Sequence, residues 1–282
     1  MELILSPWKD RFVEFAQSID QCALFASPYI TEKPLDILAE KAARNRSIEI
    51  KILTKLDTMS LATGSLDINA VRNFCSEFPQ TTMVSHLSGL HAKVYVADQH
   101  TAIVTSGNLT HSSLLKNKEF GVRLDDRASV IEIKQNLLDY ERFGSPLSLE
   151  QLSEFCEQSQ RLSETYRSVL KSGGHEGSEQ FFSLERKMQN SIHELKGQGE
   201  QTITSIFKSA VLHALQKSPM KTEEIHSQIK SIHPDLCDDS EDRIINGVYF
   251  GKKWKHHVRN AQQALKKVGK IELVDKKWRL VQ

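Results

Sequence analysis

The chain has 282 residues, enough for one sizeable core and a smaller second domain. Its formal net charge of +1 hides an asymmetry: residues 1–150 carry 16 Lys+Arg against 19 Asp+Glu, and residues 151–282 carry 21 against 17. No apolar run reaches membrane-spanning length, the opening Met-Glu-Leu-Ile-Leu-Ser-Pro-Trp lacks the basic and apolar regions of a secretion signal, and Cys22, Cys75, Cys156 and Cys237 form no CxxC pair, so a membrane protein, a disulfide scaffold and a zinc site are not expected and a reducing cytoplasm is.

Residues 1–147 read as alternating helix and strand. Phe12, Phe15 and Ala16 have helical spacing within Trp8–Ile19, and Ala23–Ile30 follows as a strand. Pro34–Asn45 reads as a helix, Ile48–Thr54 as a strand, Ile68–Glu77 as a helix and Thr81–His86 as a strand. Lys93–Asp98 alternates, with Val94 and Val96 on one face and Lys93 and Tyr95 on the other; Gln99-His100 turns the chain and Ala102–Thr105 returns. Phe120–Leu124 is a further strand and Ala128–Arg142 a further helix, which together make an α/β domain with a mixed sheet.

The Lys93–Thr105 hairpin and its flanks carry the densest chemistry. His91 and Lys93 are two residues apart and leave the same strand face, and Ser106-Gly107-Asn108 closes the return strand beside them. An imidazole nucleophile, a cation, a hydroxyl and an amide on adjacent strands suit covalent phosphodiester chemistry, with neither metal nor cofactor required. His-x-Lys, four residues, Asp98, then Ser106-x-Asn108 resembles the signature of the phospholipase D superfamily, with Thr105 where that family usually has Gly. Asn117-Lys118-Glu119 fits its downstream Asn-x-Glu, and Ser27-Pro28-Tyr29-Ile30 resembles an early strand end of these domains. The resemblance implies that His91 attacks phosphorus to give a phosphohistidine, and that Lys93 and Asn108 hold the non-bridging oxygens, with Ser106 as a further donor. It also implies that Glu119 orients the His91 ring, and that Asp98 is structural, pinning a strand end. One motif copy per chain implies a homodimer with a shared active site, since a second His must protonate the leaving oxygen.

Ser148 with Gln151 reads as a capping box opening one long helix to Lys171, whose stripe runs through Leu152, Phe155, Cys156, Ser159, Leu162, Tyr166 and Val169. That stripe suits packing on its own domain or a dimer or interdomain contact. Ser172–Ser178 and Gly197–Gly199 read as flexible breaks, so residues 148–200 are expected to be a helical linker.

Residues 201–282 change pattern. Ile203, Ile206, Phe207, Ala210, Val211, Ala214 and Leu215 mark a first helix, and Ile225 and Ile229 a second with Thr222 as N-cap. The acidic Asp238–Asp242 is expected to be a solvated loop, and Lys252–Lys267 a third helix ended by Gly269. Ile271–Val274 and Trp278–Val281 read as a terminal hairpin. Three helices and a hairpin resemble a winged helix-turn-helix, and residues 252–282 hold ten Lys+Arg against two acids. Lys252, Lys253, Lys255, Arg259, Lys266, Lys267, Lys276 and Lys277 are therefore the expected DNA contacts.

Together these readings lead to the expectation of a DNA endonuclease that needs no metal, similar to single-motif restriction endonucleases of the superfamily, with DNA and defence-system proteins as partners and no membrane. A phospholipase or phosphatidyltransferase and a non-catalytic DNA-binding regulator are the alternatives.

Overall fold

The structure, a computed structural model, describes residues 1–172, 175–198, 203–234, 236–245 and 248–281. Gly173 and Gly174, in the first expected break, and Gly199, in the second, lie outside the described residues. The chain divides into two compact units, Met1–Leu195 and Lys196–Gln282.

The first unit opens with β1 (Glu2–Leu5), α1 (Lys9–Gln17), β2 (Cys22–Ala26), α2 (Glu32–Arg44), β3 (Glu49–Thr54), α3 (Thr58–Thr63), α4 (Ile68–Glu77) and β4 (Thr82–His86). It continues through β5 (Val94–Ala97), β6 (Thr101–Thr105), α5 (His111–Leu115), β7 (Phe120–Leu124), α6 (Arg127–Glu141) and β8 (Ser145–Pro146) to α7 (Leu149–Ser172) and α8 (His175–Gln198). The strands form one eight-stranded mixed sheet in the order β1-β7-β6-β5-β2-β3-β4-β8. Only β2, β3 and β4 run parallel, because helices connect them; the rest are antiparallel.

Period-two alternation sorts the sheet's side chains. Phe25, Tyr95 and Ile103 enter the main core with Trp8, Phe12 and Phe15 of the first helix region, while Leu24, Val96 and Ala102 are buried on the opposite side, where α6 contacts β2, β5 and β6. Burial on both faces explains why β2 and β5 are apolar almost throughout. The Ser148–Gln151 capping box forms in both directions, the Ser148 amide donating to Gln151 Oε1 at 2.9 Å and the Gln151 amide to Ser148 Oγ at 3.1 Å. The α7 stripe packs on α3 and α4, with Leu152, Phe155 and Leu162 buried. Phe181, Met188 and Leu195 bring α8 into the same core, so the first unit takes in both helices of the segment read as a linker.

The second unit comprises α9 (Ile203–Lys217), α10 (Thr222–Ile232), a hairpin of β9 (Asp242–Ile245) and β10 (Val248–Lys252), α11 (Lys253–Lys267), and a second hairpin of β11 (Ile271–Val274) and β12 (Lys277–Leu280). Its core is Ile206, Phe207, Val211, Ile225, Ile229, Val258, Leu265 and the indoles of Trp254 and Trp278. Met220, between the first two helices, pairs antiparallel with Trp278, through amide-to-carbonyl bonds of 2.9 and 2.7 Å. Asp275 and Lys276 both have positive φ, the conformation that closes a two-residue hairpin. Gly269 terminates α11 with φ 70°, and the next amide reaches back to the Leu265 carbonyl. The expected acidic loop is in part the start of β9, and its carboxylates are exposed but paired.

Candidate active site

Strand direction assembles the site. β1, β2 and β6 end, and β5 and β7 begin, at the same edge of the sheet, since Leu5 pairs with Phe120, Ala26 with Val94, Val94 with Val104, and Thr105 with Gly121. His91, Lys93, Ser106, Asn108 and Glu119 all lie just beyond those strand ends and therefore share one edge. Asp98 is at the other end of β5, on the far edge.

His91 is exposed and, among the described residues, its ring has no hydrogen-bond or ion-pair partner; it precedes β5 rather than lying within it. Lys93 is only 8% exposed, and its Nζ donates to the His91 carbonyl at 2.8 Å, drawing the peptide that carries the imidazole back over the lysine. Burial lowers the Lys93 pKa, while the charge of Glu119 works against that shift. Burial opposes ionisation of Glu119, yet donors from Ser106, Asn117 and Ser113 and the charge of Lys93 outweigh it and hold this carboxyl below its ordinary value. The Ser106 hydroxyl donates to Glu119 at 2.5 Å and the Asn117 amide at 3.0 Å.

The carboxylate of Glu119 is thus engaged with the strand next to it, and not with the His91 ring as expected. The sheet order gives the reason: β6 lies between β7 and β5, so Glu119, at the start of β7, meets Ser106 at the end of β6 first. Asn108 is half-buried; its Oδ1 is fully enclosed with no hydrogen-bond partner among the described residues. An enclosed amide oxygen left unpaired is destabilising by about 1–3 kcal/mol, and such groups persist where function holds them.

The surrounding polar groups fix the motif loop. Ser27, completely buried, donates to the Tyr29 carbonyl at 2.7 Å and accepts from the Leu109 amide at 3.0 Å, tying the end of β2 to the residue after Asn108. The Tyr95 hydroxyl donates to the Gly107 carbonyl at 2.7 Å, and Trp8 Nε1 to the Ser113 carbonyl at 2.8 Å. Gly107 is glycine for contact reasons: a Cβ there would lie 3.0 Å from the Trp8 ring. The departure at Thr105 has a counterpart across the ladder, since a Cβ on Gly121 would fall 2.7 Å from Thr105 Cβ. Sequence reading singled out neither Tyr95 nor Trp8 for this role, because an aromatic on an apolar face carries no sign of where its polar atom goes.

Asp98 has φ 53°, and its carboxylate accepts three amides in a row, from Asp20, Gln21 and Cys22, at 2.8, 2.9 and 2.7 Å. Burial works against its charge, but these donors and His100 keep its pKa depressed. Among the described residues, Asp20, Asp98 and His100 form a group with metal-ligand spacing, on the far edge from His91; the Asp98 oxygens there are already taken up by amides.

Of the expected DNA contacts, Lys252 is paired with Asp242 at 2.7 Å and Lys253 with Glu241 at 2.9 Å, and Lys255 sits over the Trp254 ring at 5.5 Å. Arg259, Lys266 and Lys267 are exposed along α11, and Lys276 and Lys277 at the tip of the last hairpin; among the described residues none of these five has an acidic partner.

The family profile described as "Cardiolipin synthase, PLD-like domain" matches residues 14–140. Residues 14–140 belong to the phospholipase D superfamily. The solved structure of Nuc from Salmonella typhimurium, a phospholipase D family member, is similar at 18% identity and TM-score 0.45, covering 52% of this chain and 96% of that one. NucT from Helicobacter pylori is similar at 17% identity and TM-score 0.40, covering 48% and 91%. Phosphatidylserine synthase from Haemophilus influenzae is similar at 17% and 0.43, covering 58% and 42%. No curated protein matches the chain. Superfamily members act on phosphodiesters, and this domain has a mixed α/β fold with a large sheet flanked by helices. Among the described residues, no helix is long and apolar enough to cross a membrane.

Proposed function

We propose that the chain is a phosphodiesterase that cuts DNA through a phosphohistidine, without a metal, as a homodimer. The observation that carries this reading is the shared sheet edge: an exposed imidazole beside a buried ammonium and an unpaired amide. His91 attacks phosphorus as the bond to the leaving oxygen breaks, and Lys93 and Asn108 stabilise the charge on the non-bridging oxygens. The second imidazole is His91 of the other subunit, because each chain has one motif copy; it gives its proton to the leaving oxygen. Now neutral, it takes a proton from the water that hydrolyses the phosphohistidine and frees the first His91. Glu119, held by Ser106, places a negative charge that favours the protonated form of Lys93 against the effect of burial.

The second unit supports DNA as the substrate. Helix α9, the Met220 strand, α10, α11 and the β11–β12 hairpin follow the order of a winged helix-turn-helix, with β9–β10 inserted before the third helix. Its unpaired cations lie on that helix and on the tip of the hairpin, where a groove-and-backbone reader contacts phosphates. A single-motif catalytic unit joined to a DNA-targeting unit is the basis for assigning restriction or phage defence as the role, with proteins of that system as partners.

Cleavage of plasmid and single-stranded DNA in excess EDTA, wild type against His91→Ala, tests this. Cutting that survives EDTA and disappears in the variant is expected. Cutting that EDTA abolishes, or that the variant retains, overturns the histidine mechanism. The match to a profile named for cardiolipin synthase favours a lipid substrate as the second reading; transfer on anionic liposomes by a protein inactive on DNA would establish it.

A further inference from the structure

The hairpin β9–β10 is the part of the second unit that the helix-and-wing order does not require, and it encloses a groove of its own. Between this hairpin and α11 lies a cavity of about 490 Å³, bounded by Arg243, Ile244, Lys253, His256, His257 and Asn260. Its charge is lopsided. Asp242, at the rim, is already paired with Lys252, and Glu241 with Lys253. Among the described residues Arg243 has no acidic partner, although an unpaired guanidinium beside two imidazoles and an ammonium raises the local positive potential. The effect reaches His257, which stacks on Phe207 at 6.4 Å: burial first, then Lys253, Arg243 and His256, push its pKa below the ordinary value. With Asp242 taken by Lys252 and Glu241 by Lys253, Arg243 is the groove charge left without a counter-ion among the described residues.

The other walls narrow the choice of anion. Ile244, 63% exposed, gives the groove an apolar lining residue, and Asn260 offers an amide from the exposed face of α11. A cationic wall, an apolar wall and an amide within one groove match a nucleotide: a phosphate, the flat face of a base and a base edge. Tyr249, opposite Ile244 in the ladder and 60% exposed, extends the apolar wall beyond the cavity.

We propose that the β9–β10/α11 groove binds one nucleotide of a DNA strand, with the phosphate on Arg243 and Lys253 and the base between Ile244 and Asn260. This rests on the reading of the second unit as DNA-binding and adds to it contacts from the inserted hairpin, Arg243 and Ile244, beside those of the third helix. The inserted hairpin is then a clamp on the backbone next to the helix that enters the groove of the duplex.

The test is fluorescence anisotropy of a labelled DNA duplex with the full-length protein across a salt series. Wild type is compared with Arg243→Ala, Arg243→Lys, Asn260→Ala and the wing-tip pair Lys276→Glu with Lys277→Glu. Arg243→Ala is expected to weaken binding about tenfold or more and to reduce the salt slope by about one, with Arg243→Lys recovering the slope but not the full affinity. Asn260→Ala is expected to weaken binding without changing the slope. In NMR titrations, the duplex is expected to raise the His257 pKa in wild type and to raise it less in Arg243→Ala. If the wing-tip variant weakens binding and Arg243→Ala matches wild type, the groove proposal falls and the DNA reading stands. If wild type does not bind the duplex even at low salt, both fall.

Discussion

Asn108 offers a direct way to separate a group kept for chemistry from one kept for folding. Its Oδ1 is enclosed without a partner, and its amide nitrogen makes no protein hydrogen bond among the described residues. In Asn108→Ala the orphaned oxygen goes, which removes a penalty of about 1–3 kcal/mol. The opposing loss is small, because the side chain is only half-buried and the truncation leaves a few contacts at a surface rather than a core void. The net expectation is a stability equal to wild type or higher by about 1–2 kcal/mol. Turnover is expected to move the other way. If the amide donates to a non-bridging oxygen as charge builds there, its loss lowers kcat by about 10²–10³. Urea unfolding of the full-length protein gives the first quantity, and hydrolysis of a small chromogenic phosphodiester the second. A variant less stable by more than about 1 kcal/mol would show that the amide holds the loop together. A variant with wild-type turnover would remove Asn108 from the chemistry altogether. Either result refutes the argument.

Asp98→Ala should do the reverse. Losing a carboxylate that accepts from Asp20, Gln21 and Cys22 is expected to cost about 2–4 kcal/mol, less than three charged bonds in sum because two of the amides can turn to water, with kcat of the folded fraction unchanged; a selective loss of kcat would contradict a structural role. Gly121→Ala is expected to destabilise by about 1–3 kcal/mol through contact with Thr105, and Thr105→Gly in the same chain to restore part of that, the Val104 carbonyl remaining 2.8 Å away; urea midpoints that show no coupling would sink this. His226, held neutral and brought to about 4 by burial and by Arg259 and Lys255, has a folded pKa below that of the unfolded chain. The unfolded chain therefore takes up the proton first. The stability of the second unit should be level above about pH 6.5 and fall toward pH 4 by up to about 1.4 kcal/mol per pH unit. Thermal unfolding of wild type and His226→Phe between pH 7 and 5 checks it, and an identical pH loss in both would contradict the assignment to His226.

Much of the frame was legible because it rests on short-range rules. The apolar alternation of β5, the Ser148–Gln151 box and the Ile68–Glu77 helix all follow from neighbours within a few positions. What stayed hidden follows from other causes. β1 is an edge strand with Leu3 and Leu5 exposed, so alternation did not separate it from a loop. α8 begins at His175, inside the Ser172–Ser178 stretch that reads as a break, although Phe181, Leu184, Met188, Ile192 and Leu195 do keep helical spacing. The hairpin before α11 had a signal too, Asn246-Gly247 between apolar runs, but the acids beside it read as a solvated loop. In the site, the motif gave the group of residues and not their pairing. Which carboxylate meets which hydroxyl depends on strand order, and no local pattern states that order.

The division of the β5–β6 hairpin between two edges has a practical consequence. The residues assigned to chemistry lie at its open end, and its turn, with Gln99 and His100 exposed, lies at the other. Length changes at that turn leave the ladder in register, so a reporter peptide could be spliced between Gln99 and His100 without disturbing the nucleophile. Removing one residue from β6 would instead invert every side chain after it and swing Ser106 and Asn108 to the wrong side. The fold thus leaves one end of this hairpin open to variation in length and fixes the other to the residue.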